Sequence, residues 1–150
     1  MPTMRFTEKM TATPEQFIAA LTDFGPGRSK IWGSSADDYL KVLDQGPTEA
    51  DVTEGSGGVW ETLHYDWSDP GRVVLTTTDS NAWGGHSGWT YSFSSQPDGT
   101  TEVDVEVVRE AKNLKGHGLA LAFGVGGKRV LEKRFEETVK AIDERTEASP

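Results

Sequence analysis

The order of two hydrophobic patterns constrains the fold of this chain most strongly. Strand-like segments fill most of the range from Phe6 to Arg109, and one long helix-like segment follows, from Leu114 to about Arg145. Valine alternates with acidic residues between Glu102 and Val107, so one face of that strand is apolar and the other is polar. Beyond Lys112, apolar residues recur every three or four positions, the period of an amphipathic helix. We therefore predict an α+β protein whose curved antiparallel sheet wraps around a C-terminal helix and encloses a cavity.

Clusters of turn-forming residues divide the strand-rich part into about seven strands. The predicted strands are Met4–Met10, Tyr39–Asp44, Ala50–Glu54, Val59–Trp67, Arg72–Asp79, Ser87–Ser95 and Thr100–Arg109. Two short helices are expected after the first strand. Thr13 is a good N-cap and Pro14 suits the first helical position, so the first helix runs to about Thr22. A second short helix or a turn carries Arg28 to Trp32. Residues 1–150 are expected to form a single domain with a frayed tail at 146–150.

The composition excludes several classes of function. The chain has no cysteine, which removes disulfides, thiolate catalysis and cysteine-bound metals. It carries 24 acidic and 15 basic side chains, whereas binding to a phosphate backbone needs clustered cations, so no nucleic-acid partner is expected. The first thirty residues contain no apolar signal segment, and the weakly polar run Gly118–Gly127 is far shorter than the ~20 residues that cross a bilayer. We expect a cytoplasmic protein without membrane insertion, and the sequence makes no prediction of oligomeric state.

The sequence contains no complete motif for binding a cofactor or for activating a nucleophile. Gly85–Gly88 resembles a hydrolase nucleophile elbow but lacks its last glycine and enters a strand. Gly126–Arg129 lacks the first glycine and the hydroxyl residue of a phosphate loop. No two histidines stand at i and i+4 as a helical metal pair would require. We therefore predict no metal and no cofactor.

Glycine is unusually frequent in the first half of the helix-like segment. Each glycine inside a helix costs about 1 kcal/mol relative to alanine, so some other interaction must offset that cost. Close approach to strands or to a ligand is one explanation, and a kinked or partly unwound segment is the other. The glycines concerned are Gly116, Gly118, Gly124, Gly126 and Gly127.

Two charged residues fall on faces that should be apolar. The alternation in the last strand places Arg109 on its apolar face. In the segment Val59–Trp67, the register that buries four apolar side chains also turns Glu61 inward, whereas the opposite register buries Trp60 with polar residues. The first register is favoured. Glu61 and Arg109 are then either a structural ion pair or groups aimed at a ligand.

The predicted arrangement of a strand, two short helices, six strands and a long helix resembles the helix-grip proteins of the SRPBCC superfamily, which includes START, Bet v 1 and polyketide cyclase-like proteins. The resemblance covers about Met4 to Arg145. It rests on the entry Ala12–Phe17 leading to Leu21–Phe24, the Gly55–Gly58 turn before a long strand, and the amphipathic segment Phe123–Ile142. Members include lipid carriers, cyclases, hormone receptors and chaperone cofactors, so this fold alone assigns no role.

The resemblance implies a cavity between the long helix and the concave face of the sheet. Its expected lining is Trp32, Tyr39, Leu63, Tyr65, Trp89, Tyr91, Phe93, Val105, Leu119 and Phe123. Glu61, Arg109 and His117 would supply polarity. Independently, Trp83 lies in a glycine-rich segment, Asn81–His86, that is predicted to be a hairpin loop able to close over an opening.

Three functional hypotheses follow. The preferred one is binding of a hydrophobic or aromatic small molecule, such as a lipid or a polyketide-like compound. The second is catalysis of cyclisation, dehydration or hydrolysis in the same cavity, with Glu61 or His117 moving protons and Arg109 stabilising an enolate or carboxylate. The third is a protein-interaction module that uses the acidic outer face. Because the chain has five tryptophans and six phenylalanines, a core filled by its own aromatic rings is a further alternative.

Overall fold

Seven strands and four helices make up the computed structural model, which describes residues 3–25, 28–32, 39–56, 58–124 and 126–148. The strands are β1 (Thr3–Met10), β2 (Tyr39–Gln45), β3 (Glu49–Ser56), β4 (Val59–Asp69), β5 (Arg72–Ser80), β6 (Trp83–Ser95) and β7 (Thr101–Ala111). The helices are α1 (Pro14–Leu21), α2 (Arg28–Trp32), α3 (Leu114–Gly124) and α4 (Gly127–Ala148). All strands pair antiparallel in one open sheet with the order β1-β7-β6-β5-β4-β3-β2. The predicted α+β architecture is confirmed.

Local sequence explains how the first helix begins and how the last helix docks onto it. The hydroxyl of Thr13 accepts a hydrogen bond from the backbone N–H of Gln16, whose side chain accepts one in return from the backbone of Thr13. This reciprocal pair is a capping box. Just before it, the backbone N–H groups of Thr11 and Ala12 donate to the carboxylate of Asp143 in α4. These bonds fix the C-terminal helix against the junction of β1 and α1.

The core lies between the concave face of the sheet and the buried stripe of α4. Phe135, Val139 and Ile142 of α4 are buried in it, as the helical period predicts. From α1, the fully buried ring of Phe17 contacts the rings of Trp32, Tyr91, Phe93 and Phe135, with centroid distances of 5.2 to 6.1 Å. This aromatic cluster joins α1, the centre of the sheet and α4.

The single long helix predicted from Leu114 is two helices. Gly126 separates them with φ of +81°, a left-handed conformation that other residues rarely adopt. In α3, a side chain at Gly116 would collide with the carbonyl oxygen of Ala82, so this glycine permits close approach to the sheet. Both explanations offered for the glycines therefore apply, at different positions. α4 continues to Ala148, and residues 149 and 150 of the expected frayed tail lie outside the described residues.

The strand β4 adopts the favoured register. Leu63 and Tyr65 are almost fully buried, and Glu61 shares their face. His64 lies on the opposite, outer face of the sheet. Its Nδ1 atom is 2.9 Å from Oδ1 of Asp51, within hydrogen-bond distance. Within the described part of the chain, no helix is both long and apolar enough to cross a membrane.

Candidate ligand-binding site

A half-open cavity of about 350 Å³ lies between the sheet, α2 and α4. That volume is at the lower end of the range in which proteins bind small molecules. Most of its wall is aliphatic or aromatic. Its described lining is Phe6, Leu21, Arg28, Trp32, Glu54, Gly55, Val59, Glu61, Leu63, Tyr65, Leu75, Trp89, Tyr91, Leu131, Arg134, Phe135 and Thr138. The cavity is therefore an apolar chamber with a small number of charged groups.

Glu61 and Arg109 form a tight ion pair at one side of the chamber. Nη1 of Arg109 donates to Oε2 of Glu61 over 2.6 Å, and the hydroxyl of Thr77 donates to the same oxygen over 2.5 Å. The guanidinium lies 5.4 Å from the ring centres of both Trp83 and Trp89, within cation–π range. Both bonds converge on Oε2, so Oε1 of Glu61 takes part in neither.

Arg28, Glu54 and Tyr65 form a second buried polar group beside the first. The guanidinium of Arg28 donates to the backbone carbonyls of Leu21 and Asp23, at 2.6 and 3.1 Å, and to the hydroxyl of Tyr65 at 3.1 Å. Oε2 of Glu54 is 3.9 Å from Nη2 of Arg28 and accepts a 3.4 Å hydrogen bond from Tyr65. Glu54 pairs with Glu61 across β3 and β4, which places two carboxylates side by side on the cavity face.

Burial sets the protonation behaviour of this group. Desolvation raises the pKa of Glu54 above its ordinary value, with a further increase from Glu61, while Arg28 acts in the opposite direction. Desolvation also raises the pKa values of Tyr65 and Tyr91 well above that of an exposed tyrosine, so both hydroxyls stay protonated at neutral pH. Two buried nitrogens, Nε of Arg28 and Nη2 of Arg109, have no hydrogen-bond partner among the described residues. The site therefore holds hydrogen-bonding capacity that the described protein groups do not use.

The structure brings six of the residues predicted for the site together around the cavity. They are Trp32, Glu61, Leu63, Tyr65, Trp89 and Tyr91. Arg109 is not itself a lining residue, but it contacts two of them, Glu61 through the ion pair and Trp89 through the face of its ring.

The remaining predicted residues lie elsewhere. Tyr39 is on the outer face of the sheet beside Trp60, because β2 pairs Tyr39 with Gly55. Phe93 packs against Phe17, and Val105 is buried in the core, and neither belongs to the described lining of the chamber.

Trp83 begins the long strand β6 and is buried against Arg109. The connection between β5 and β6 is therefore only Asn81 and Ala82, shorter than the predicted loop Asn81–His86, and it does not contain Trp83. His117 is exposed on α3 and Leu119 is half-buried on the same helix, and neither lines the chamber. Phe123 also falls in α3, but its side chain lies outside the described residues. The expected polar role of His117 therefore has no support from its position.

Comparison with known proteins identifies the architecture. No protein-family model matches the sequence, and no characterised protein is similar enough in sequence to match. Solved structures do match. The protein TTHA0849 from Thermus thermophilus has a TM-score of 0.70 at 17% identity, covering 99% of this chain and 100% of the other. The Zhui aromatase/cyclase from Streptomyces sp. R1128 has a TM-score of 0.68 at 13% identity, covering 99% and 97%. A START superfamily protein from Mycobacterium smegmatis has a TM-score of 0.65 at 13% identity, covering 97% of each chain.

The chain has the helix-grip fold. The resemblance deduced from the sequence is thus confirmed at the level of architecture, over nearly the whole chain. In this helix-grip protein, the sheet supplies the carboxylates and most aromatic walls, while α2 and α4 supply the arginines Arg28 and Arg134 and close the chamber.

Sequence reasoning missed three charged residues of the cavity, Arg28, Glu54 and Arg134. A signal existed for Glu54, because Ala50 and Val52 precede it at the spacing of one strand face. The orientation of the Arg28 side chain depends on two backbone carbonyls, one at the end of α1 and one in the loop that follows, and no periodic pattern reveals them. Arg134 directly precedes Phe135, a residue of the apolar stripe of α4. It differs from the other lysines and arginines of this helix only in its position at the cavity, which the sequence does not show.

Proposed function

We propose that this protein binds a hydrophobic or aromatic small molecule, lipid-like or polyketide-like, in the cavity between the sheet and α4, within the cytoplasm. The observation that carries the proposal is the cavity itself, of about 350 Å³, with a mostly apolar wall and a few buried polar groups. An apolar wall provides affinity by burial, and convergent polar groups orient the bound molecule. The aromatic rings of the chain fill the core around Phe17 but leave this chamber open.

Filling the chamber from the α4 side should block binding. Thr138 is buried and lines the cavity, so Thr138→Phe places a ring in the space that the ligand would occupy. N-phenyl-1-naphthylamine, an uncharged probe whose fluorescence rises in apolar surroundings, should bind the unmodified protein at one saturable site. We expect Thr138→Phe to weaken that binding about tenfold or more, because losing roughly 60 Å² of burial costs about 1.5 kcal/mol.

The matched control is Lys140→Phe, which adds the same ring to an exposed position of the same helix. It should leave the probe affinity unchanged. If Thr138→Phe fails to fold, Leu75→Phe tests the same space from the sheet side. Equal probe affinity in the unmodified protein and in a folded cavity-filled variant would contradict the proposal.

A second candidate is catalysis in the same chamber, by cyclisation, dehydration or hydrolysis of the bound molecule. The observation that favours it is Glu54, a buried carboxyl with a raised pKa that faces the cavity beside Arg28 and Tyr65. A carboxylate with a raised pKa in an apolar site is a stronger base than an exposed one. Glu61 is held by Arg109 and Thr77, so Glu54 rather than Glu61 is the better general base here.

The elimination of 5-nitrobenzisoxazole tests this basicity. A base removes the C3 proton while the N–O bond breaks, and the product is a coloured cyanophenolate. If the chamber is catalytic, Glu54→Gln should lower the rate at least about tenfold with the affinity for N-phenyl-1-naphthylamine retained. Glu61→Gln is the matched control and should keep most of the rate. No acceleration by the unmodified protein, or parallel loss of rate and affinity in Glu54→Gln, would argue for binding alone.

A further inference from the structure

One residue marks the opening of the cavity. Among the described lining residues, Arg134 alone is exposed, whereas the others are buried or half-buried. A side chain that both lines a cavity and reaches solvent must stand at its entrance. Arg134 projects there from α4, one turn before the buried Thr138.

The charged groups inside the chamber have partners of opposite charge, whereas Arg134 has none among the described residues. Glu61 is paired with Arg109, and Glu54 lies beside Arg28. Arg134 makes no hydrogen bond or ion pair with any residue in the part of the chain that the structure describes, although the protein has a net charge of -9. Its guanidinium therefore places at the entrance a positive charge and N–H donors that the described residues do not use.

We propose that the ligand is an amphipathic anion, whose apolar body fills the chamber and whose oxyanion group, such as a carboxylate or sulfonate, binds Arg134 at the entrance. This inference rests on the proposed binding function and names the chemical class of its ligand. Guanidinium and oxyanion form charge-assisted, commonly bidentate hydrogen bonds.

A pair of probes with the same apolar body tests the inference. 1-Anilinonaphthalene-8-sulfonate carries one sulfonate, and N-phenyl-1-naphthylamine lacks it. We expect Arg134→Gln to weaken binding of the sulfonate probe about three- to tenfold, the range between an exposed ion pair and a charge-assisted hydrogen bond. Affinity for the uncharged probe should stay the same. Arg134→Lys should retain most of the preference for the sulfonate, because it keeps the charge.

Arg129→Gln is the matched control. It removes the same charge from an exposed position of α4 that does not line the cavity, five residues away and about 140° around the helix axis. It should change neither affinity. An equal effect of Arg129→Gln and Arg134→Gln would overturn the inference, because it would reveal a general charge effect.

The two proposals fail in different ways. If neither probe binds the unmodified protein, the proposed function fails. If both probes bind and Arg134→Gln leaves the affinity for the sulfonate probe unchanged, the inference is overturned while the binding function stands. Equal weakening of both probes by Arg134→Gln would also overturn it, since Arg134 would then serve only as part of the apolar wall.

Discussion

Replacement of Phe17 by alanine is expected to lower the free energy of unfolding by about 4 kcal/mol. The ring is completely buried and contacts four other aromatic rings from α2, β6 and α4. Removing it loses the transfer free energy of the side chain and leaves a space that four rigid rings cannot easily fill. Urea unfolding followed by tryptophan fluorescence measures the change.

Leu114→Ala provides the control for Phe17→Ala. Leu114 is 90% exposed, so truncating it should change the unfolding free energy by less than about 0.5 kcal/mol. A loss below about 1.5 kcal/mol for Phe17→Ala would mean that the aromatic cluster is not the centre of the core. Such a result would also argue against the packing of α4 through Phe135, which contacts Phe17 in the same cluster.

Loss of Arg109 is expected to have the next largest effect. Arg109→Met keeps much of the packing against Trp83 and Trp89 but leaves Glu61 without its cation in a site where both side chains are at most 14% exposed. Breaking one partner of a buried ion pair leaves an uncompensated charge and costs about 3 kcal/mol. The double variant Glu61→Gln/Arg109→Met should be more stable than Arg109→Met alone, because no unpaired charge remains.

An exposed pair supplies the comparison. Arg5 and Glu106 are 2.7 Å apart, with side chains 76% and 39% exposed, so Arg5→Met should cost less than about 1 kcal/mol. If the effects of Glu61→Gln and Arg109→Met simply add, the two residues are not coupled, and the ion pair does not organise this side of the cavity.

The fold was predictable because several independent sequence patterns indicate the same arrangement of strands and helices. Alternating valines in β7, turn clusters between strands and the helical stripe of α4 are local signals that tertiary packing does not reverse. The same parity argument turned Arg109 and Glu61 toward the inner face of the sheet, where the structure pairs them. Where a strand has one buried face, its register follows from the pattern of apolar residues.

The site was only partly predictable, because its boundaries depend on tertiary contacts. Phe93 shares a strand face with Tyr91, yet Phe17 packs over it and the chamber ends before it. Tyr39 lies on the outer face because the pairing of β2 with β3 has a register shift that no alternation predicts. The helix divides at Gly126, and His117 lies on α3, exposed and outside the described lining of the cavity.

Native mass spectrometry shows directly whether the cavity binds a small hydrophobic molecule. The freshly purified protein is compared with the denatured protein, and is then mixed with a panel of fatty acids, sterols and aromatic polyketides. We predict a mass carried only by the folded protein, or a one-to-one complex with at least one anionic member of the panel that is lost in Thr138→Phe. An unliganded mass for the purified protein, together with no complex for any member of the panel, would mean that the cavity does not bind such a molecule.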